Sequence, residues 1–307
     1  MAINGSHAGR RDETDMNDLP LLPPRENNEP SPEPNPQLSL WPLEKESNSS
    51  DSLLTPVGPD QLPAREPPWS LIDLFQFVAF AAVSFIIANL LAVAVFSALR
   101  HRYFPQVNLD QFLTATPWVV SLQIGWEMLW LLFIYGTVTL KYNRGFWKAL
   151  KWTPGPRSGA TYLAAGVVLS IVTQLPFSLF PSEKHLPIEK LFTSPESGYL
   201  LAFFGVCVAP FVEEMVFRGF FYPVFERMWG FVAAVLLTAL LFAAIHVPQL
   251  SGGWQEIIAI FFVGMVFSYC RGKTGSLVPP FLMHLAYNAS LFISLYFSTD
   301  QFRTLKG

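Results

Sequence analysis

Phe211-Val-Glu-Glu-Met-Val-Phe-Arg218 sets two carboxylates and a guanidinium beside Gly198 to Val212, a stretch that is almost wholly apolar. A charged side chain at a bilayer centre costs about 2.5–3.5 kcal/mol even on a lenient insertion scale. An ionisable cluster in such a place points to function and to partners on other membrane helices. On a helix, Glu214 and Arg218 are four residues apart, share a face and can neutralise each other. Glu213 projects about 100° away and has no equally placed basic partner. A carboxylate without a counterion in an apolar site suits a group that must take and release a proton.

Of the five histidines, only His246 and His284 fall inside the apolar runs. If one helix runs to Arg227 and the next starts at Gly230, Glu213 lies fourteen residues before the turn and His246 sixteen after it. At about 1.5 Å rise per residue, both sit some 20–25 Å from the hairpin, at nearly one depth. His284 and Asn288, four apart on a later run, face the same way. Counted from Pro279-Pro280, His284 lies about 9 Å into its helix, shallower than Glu213. Side-chain reach or a recessed helix start has to close that gap. These groups suit hydrolysis. Glu213 takes a proton from water, His246 helps to hold that water, and His284 and Asn288 donate to the oxyanion of a tetrahedral intermediate. No Ser or Cys nucleophile is needed.

The elements that must position these residues are membrane helices. The chain of 307 residues is 51% hydrophobic and only 14% charged, where a soluble domain has about 25% charged residues. Seven apolar runs follow one another, at Leu74–Leu99, Pro117–Leu140, Ala160–Phe180, Gly198–Arg227, Gly230–Val247, Trp254–Arg271 and Leu277–Phe297. A backbone in lipid must satisfy its own hydrogen bonds, so the runs are predicted to be helices. The fold class is therefore all-α, a polytopic transmembrane bundle of about seven helices, or eight with a further half-inserted element. The sixth run is short, which predicts little tilt or partial insertion. Trp69, Trp118, Trp147, Trp152, Trp229 and Trp254 fall near the run ends, as an interfacial belt requires. Placing the N-terminus in the cytoplasm puts nine Lys and Arg of the loops inside and six outside, the direction of the positive-inside rule.

Residues 1–68 differ in kind. They hold 12 acidic and 5 basic residues and 13 of the 26 prolines, a composition that predicts a disordered acidic tail without the features of a signal peptide. The remaining residues are net basic, but nothing in their pattern suggests a nucleic-acid surface. The expected organisation is the tail at 1–68, N-terminal transmembrane helices at 69–194, a catalytic transmembrane core at 195–297 and a short tail at 298–307. Cys207 and Cys270 lack the spacing of a zinc site and are expected to be small buried hydrophobes. Glu127, mid-span, fits no motif. It is expected to pair across the bundle, with Arg218 for example, or to line the cavity, supported by Gln123 one turn earlier.

Glu213-Glu214-x-x-x-Arg218, Phe242-x-x-x-His246 and His284-x-x-x-Asn288 occur in that order on consecutive apolar segments. Over about residues 195–295 this resembles the CAAX protease and bacteriocin-processing (CPBP, or Abi) family of intramembrane glutamic endopeptidases. The resemblance implies that Glu213 is the catalytic glutamate and His246 the water-binding histidine. It makes His284 and Asn288 the oxyanion pair, with Glu214 and Arg218 in support. Phe242 is expected to pack beside His246. The implied activity is metal-independent hydrolysis of membrane-associated peptides or proteins, CAAX-protease-like, with no cofactor. The partners are the lipid bilayer and the substrate, and the expected location is a bacterial inner membrane. Two rivals stand beside it. One is a zinc protease, since two His and a Glu can hold catalytic zinc, although no His-Glu-x-x-His motif is present. The other is a non-catalytic membrane scaffold or bacteriocin immunity protein.

Overall fold

The computed structural model describes residues 67–103, 105–179, 186–251 and 253–304, with backbone alone for 176–179. The acidic tail, save its last two residues, and the final three residues lie outside this range. Among the described residues all regular structure is helical. The helices are α1 (Leu71–Tyr103), α2 (Leu109–Thr114), α3 (Thr116–Tyr135), α4 (Phe146–Ala149), α5 (Gly159–Leu179), α6 (Pro195–Phe203), α7 (Ala209–Glu214), α8 (Tyr222–His246), α9 (Trp254–Thr274) and α10 (Val278–Ser298). Five helical stretches are long and apolar enough to cross a membrane, namely Leu71–Tyr103, Thr116–Lys141, Pro195–His246, Trp254–Thr274 and Val278–Ser298. The protein is an integral, multi-pass membrane protein with an all-α fold. The sixth apolar run, expected to be short, is a helix of 21 residues, long and apolar enough to cross a membrane, because helical geometry extends past Arg271 to Thr274.

The fourth and fifth runs form one helical stretch, Pro195–His246, interrupted in backbone geometry at Gly230. Thirty-three residues of straight helix between Glu213 and His246 would separate them by about 50 Å. Their side chains lie 3.8 Å apart, so the chain reverses between them. Gly230, at φ 79° and ψ 175°, supplies the break. That region is essentially closed to residues with a Cβ. A Cβ there would meet nothing within 4 Å, so the constraint is conformational and not steric.

Two wide, π-helical turns flank α7, at Phe204–Val208 and Met215–Phe221. Each is followed by a proline in the first turn of the next helix, Pro210 in α7 and Pro223 in α8. Proline has no N–H to continue the ladder and its ring crowds the preceding turn. Widening the helix just before it is one way to accommodate both effects, and such turns often mark functional sites.

The bundle packs α8 on α9, α5 on α10 and α1 on α3, with α3 and α10 both against α7. Without a hydrophobic drive between helices in lipid, close approach relies on small residues. Gly264 of α9 shows this, since a Cβ there would lie 3.1 Å from Phe242 and 3.2 Å from Ala239 of α8. The first described residues are fastened to the hairpin. Trp69 is fully buried, stacks on Phe220 and donates its Nε1–H to the Phe220 carbonyl at 2.8 Å. Arg227 donates to the carbonyls of Pro67 and Trp69. Trp69 is therefore a core residue and not the belt residue expected, whereas Trp147, Trp229 and Trp254 are at least half exposed. The cysteines also depart from expectation. Cys207 is exposed and Cys270 half-buried, because an apolar helix in lipid can turn a small side chain outward at little cost.

Candidate active site

The short helix α7 carries Glu213 and Glu214 into the centre of the bundle, and the turn after it carries Arg218. Glu214 and Arg218 are both wholly buried and paired at 2.8 Å, as their spacing predicts. Each of the three guanidinium nitrogens makes a hydrogen bond. Nε donates to Ser268 at 3.3 Å, one terminal nitrogen to Glu214, and the other to the Gly264 carbonyl at 3.1 Å. It also lies 4.4 Å over the Phe242 ring, a contact that favours a cation. Burying an ion pair is tolerable only when its remaining donors find partners, and here α9 provides them. The sequence pattern gave α9 no role. Gly264 and Ser268, four apart on one face, are the signal that was present but not distinctive.

Glu214 has a second task. Its Oε1 accepts from His284 Nδ1 at 3.0 Å, across from α10. A carboxylate only accepts, so Nδ1 carries the proton and Nε2 is left to point elsewhere. It points at Glu213, with Nε2 3.5 Å from Oε2. His284 is thus not too shallow for Glu213, because α10 begins deep enough for the side chain to reach. His246 is set in the same manner from α8. Its Nδ1 donates to the Phe242 carbonyl at 2.7 Å, and its Nε2 lies 3.8 Å from Glu213 Oε1. Each oxygen of Glu213 therefore faces the Nε2 of a different histidine. Both rings pack on Phe242, with centroids 4.8 Å away for His246 and 5.7 Å for His284, and His284 also lies 4.8 Å from Phe267.

Exposure divides the cluster. The side chains of Glu213 and His246 are 12% and 17% exposed, whereas Glu214 and Arg218 are sealed at 0%. The first pair thus keeps some open surface, and the ion pair behind it has none.

Asn288 lies one turn beyond His284, but its Nδ2 donates to the Gly205 carbonyl at 2.7 Å. One of its two N–H groups thus ties α10 to the wide turn before α7. That turn leaves carbonyls unpaired within the helix, which explains the partner. Glu127 of α3 is buried, with Oε1 accepting from Gln123 at 3.0 Å, as expected, and Oε2 without a partner. Arg218 is not its partner, since the guanidinium nitrogens donate to Ser268, Glu214 and the Gly264 carbonyl instead. Among the described residues, no group of three His, Cys, Asp or Glu side chains is arranged to hold a metal ion.

Residues 195–290 match a family model described as type II CAAX prenyl endopeptidase Rce1-like. The match spans all three motifs and bears out the resemblance seen in them. The segment is thus similar to a membrane-protease domain of that kind. A curated relative, an uncharacterised 24.3 kDa protein of Escherichia coli, is 34% identical over 83 residues. That alignment covers 25% of this chain and 36% of the relative. No solved structure matches the chain.

Proposed function

We propose that the protein is an intramembrane endopeptidase in which Glu213 activates water to cleave a peptide bond of a membrane-associated peptide or protein. The observation that carries this reading is the placement of one carboxylate between two histidine Nε2 atoms, 3.5 and 3.8 Å away, inside a membrane bundle. Those separations are long for direct hydrogen bonds and suit a water that touches both sides.

His246, its Nδ1–H committed to a carbonyl, offers the Nε2 lone pair to one hydrogen of the water. Glu213 takes the other proton as the oxygen adds to the scissile carbonyl, and the carbonyl becomes an oxyanion. His284, its Nδ1–H held by Glu214, donates from Nε2 when it is an imidazolium. The second N–H of Asn288 is the further donor. Glu213 then passes its proton to the leaving amine as the C–N bond breaks, and a carboxylic acid and an amine result. Glu214 and Arg218 keep His284 oriented and do not touch the reacting atoms. The reading needs no cofactor and places the function in residues 195–297. The surplus of Lys and Arg at one end of the bundle supports a cytoplasmic N-terminus, in a bacterial inner membrane.

The test is cleavage of membrane peptides by the purified protein and by its Glu213→Gln variant. The variant should remain folded and lose cleavage, and full retained activity would refute the reading. Stoichiometric zinc in the active protein, with activity lost on chelation, would transfer the chemistry to a metal.

A further inference from the structure

Away from Glu213, a cavity of about 580 Å³ is lined by Arg144, Lys148, Lys151, Arg227 and Arg271, with Glu226 as the one carboxylate among its described lining residues. It lies where α1 begins, where the stretch through α3 ends, beside the hairpin and at the end of α9, so all its walls come from one end of the membrane helices. Its size suits a small ligand or headgroup, and among the described residues of its lining five are basic and one is acidic.

Two details show that this is more than a scatter of surface lysines. Arg271 is 5% exposed, yet it is one of the residues that line the cavity, and the hydrogen bond it makes, to the Arg218 carbonyl at 3.1 Å, uses Nε and not the terminal nitrogens. Glu226, the nearby counter-charge, accepts from the Tyr222 hydroxyl at 2.8 Å. A buried cation that keeps donors facing a cavity is costly unless an anion completes it. Arg227, by contrast, spends its terminal nitrogens on Pro67 and Trp69 and contributes mainly its charge. Arg forks and Lys point charges are the usual means of holding phosphate oxygens. Basic residues immediately beyond membrane helices attract anionic lipid. Trp147, half exposed next to Lys148, is the amphipathic side chain that sits at headgroup level.

We propose that this cavity binds the phosphate headgroup of an anionic membrane lipid. The site stands independently of the proteolytic reading, since none of its residues touches Glu213, His246 or His284.

The test uses the full chain in nanodiscs of phosphatidylcholine alone or of equal parts phosphatidylcholine and phosphatidylglycerol. Thermal unfolding and native mass spectrometry of retained lipid are the readouts. Phosphatidylglycerol should raise the midpoint and remain bound. Arg144 and Lys148 are exposed, so the Arg144→Gln/Lys148→Gln double variant should fold normally and bind the lipid about thirtyfold more weakly. Arg271→Gln should abolish retention; should that variant fail to fold, the double variant decides alone. Equal stabilisation by both lipid mixtures would overturn the proposal. So would phosphatidylglycerol binding unaltered in the double variant, or the same midpoint shift from inorganic phosphate without anionic lipid.

Discussion

Replacing Glu214 by Gln keeps the shape of the side chain and removes only its charge. The amide oxygen can still accept from His284 Nδ1, but Arg218 loses the one carboxylate that it contacts. Arg218 is wholly buried and cannot reach water. Its remaining partners are a hydroxyl, a carbonyl and two aromatic faces. Breaking a buried pair by removing one partner costs about 3–5 kcal/mol, a fall of roughly a hundred- to several-thousand-fold in the ratio of folded to unfolded protein. The assay is reversible unfolding in mixed micelles, followed by tryptophan fluorescence. The Glu214→Gln/Arg218→Met double variant removes both charges and should recover most of the loss, because Met fills much of the space without a stranded cation. A Glu214→Gln loss below about 1 kcal/mol, or a double variant as unstable as the sum of its single changes, would refute the reasoning, since either result means that the pair is not the counter-charge the geometry implies.

Two further outcomes follow from other parts of the bundle. Glu127→Met removes a buried carboxylate whose Oε2 has no partner, so the unfolding free energy should stay level or rise, by up to about 1–3 kcal/mol of relieved desolvation; a clear fall would show that this oxygen is held. Gly230→Ala places a Cβ at φ 79° and should cost about 1–3 kcal/mol in the same unfolding measurement, with no recovery from substitutions in neighbouring side chains, since none lies within 4 Å.

Much of this arrangement was legible in the sequence for physical reasons. Spanning length and apolarity dictate helices, and the four-residue spacing dictates the Glu214–Arg218 pair. Counting outward from a hairpin at Gly230 correctly brings Glu213 and His246 together. What was hidden is azimuth. A helix that is apolar on every side has no polar face to announce its orientation. The turning outward of Cys207, the burial of Trp69 and the approach of α9 to Arg218 therefore left no mark. The link from Glu214 to His284 joins side chains seventy residues apart and has no local spacing rule. The target of Asn288 depends on a carbonyl freed by a wide turn, which hydropathy does not reveal. The roles of Glu213, His246, His284 and Asn288 rest on chemistry still to be tested, but their placement follows from helix geometry and one glycine.

The wide turns on either side of α7 bear on how the protein distinguishes two identical neighbours. A π turn amounts to one residue too many in a helix, and transferring that residue from the turn on one side of α7 to the turn on the other slides α7 by one position and rotates it by about 100°. One slip would give Glu213 the place of Glu214 and put Val212 where a carboxylate must meet the histidines. The opposite slip would give Glu214 the place of Glu213 and leave Met215 against Arg218. Either frame keeps one glutamate in a sensible place and loses the other, so the repeated residue offers no protection against misreading. Pro210 and Pro223, each just past a wide turn, remove the ambiguity, because the missing N–H and the ring fix where the extra residue resides. The two prolines act as reading-frame markers for the six residues between the turns.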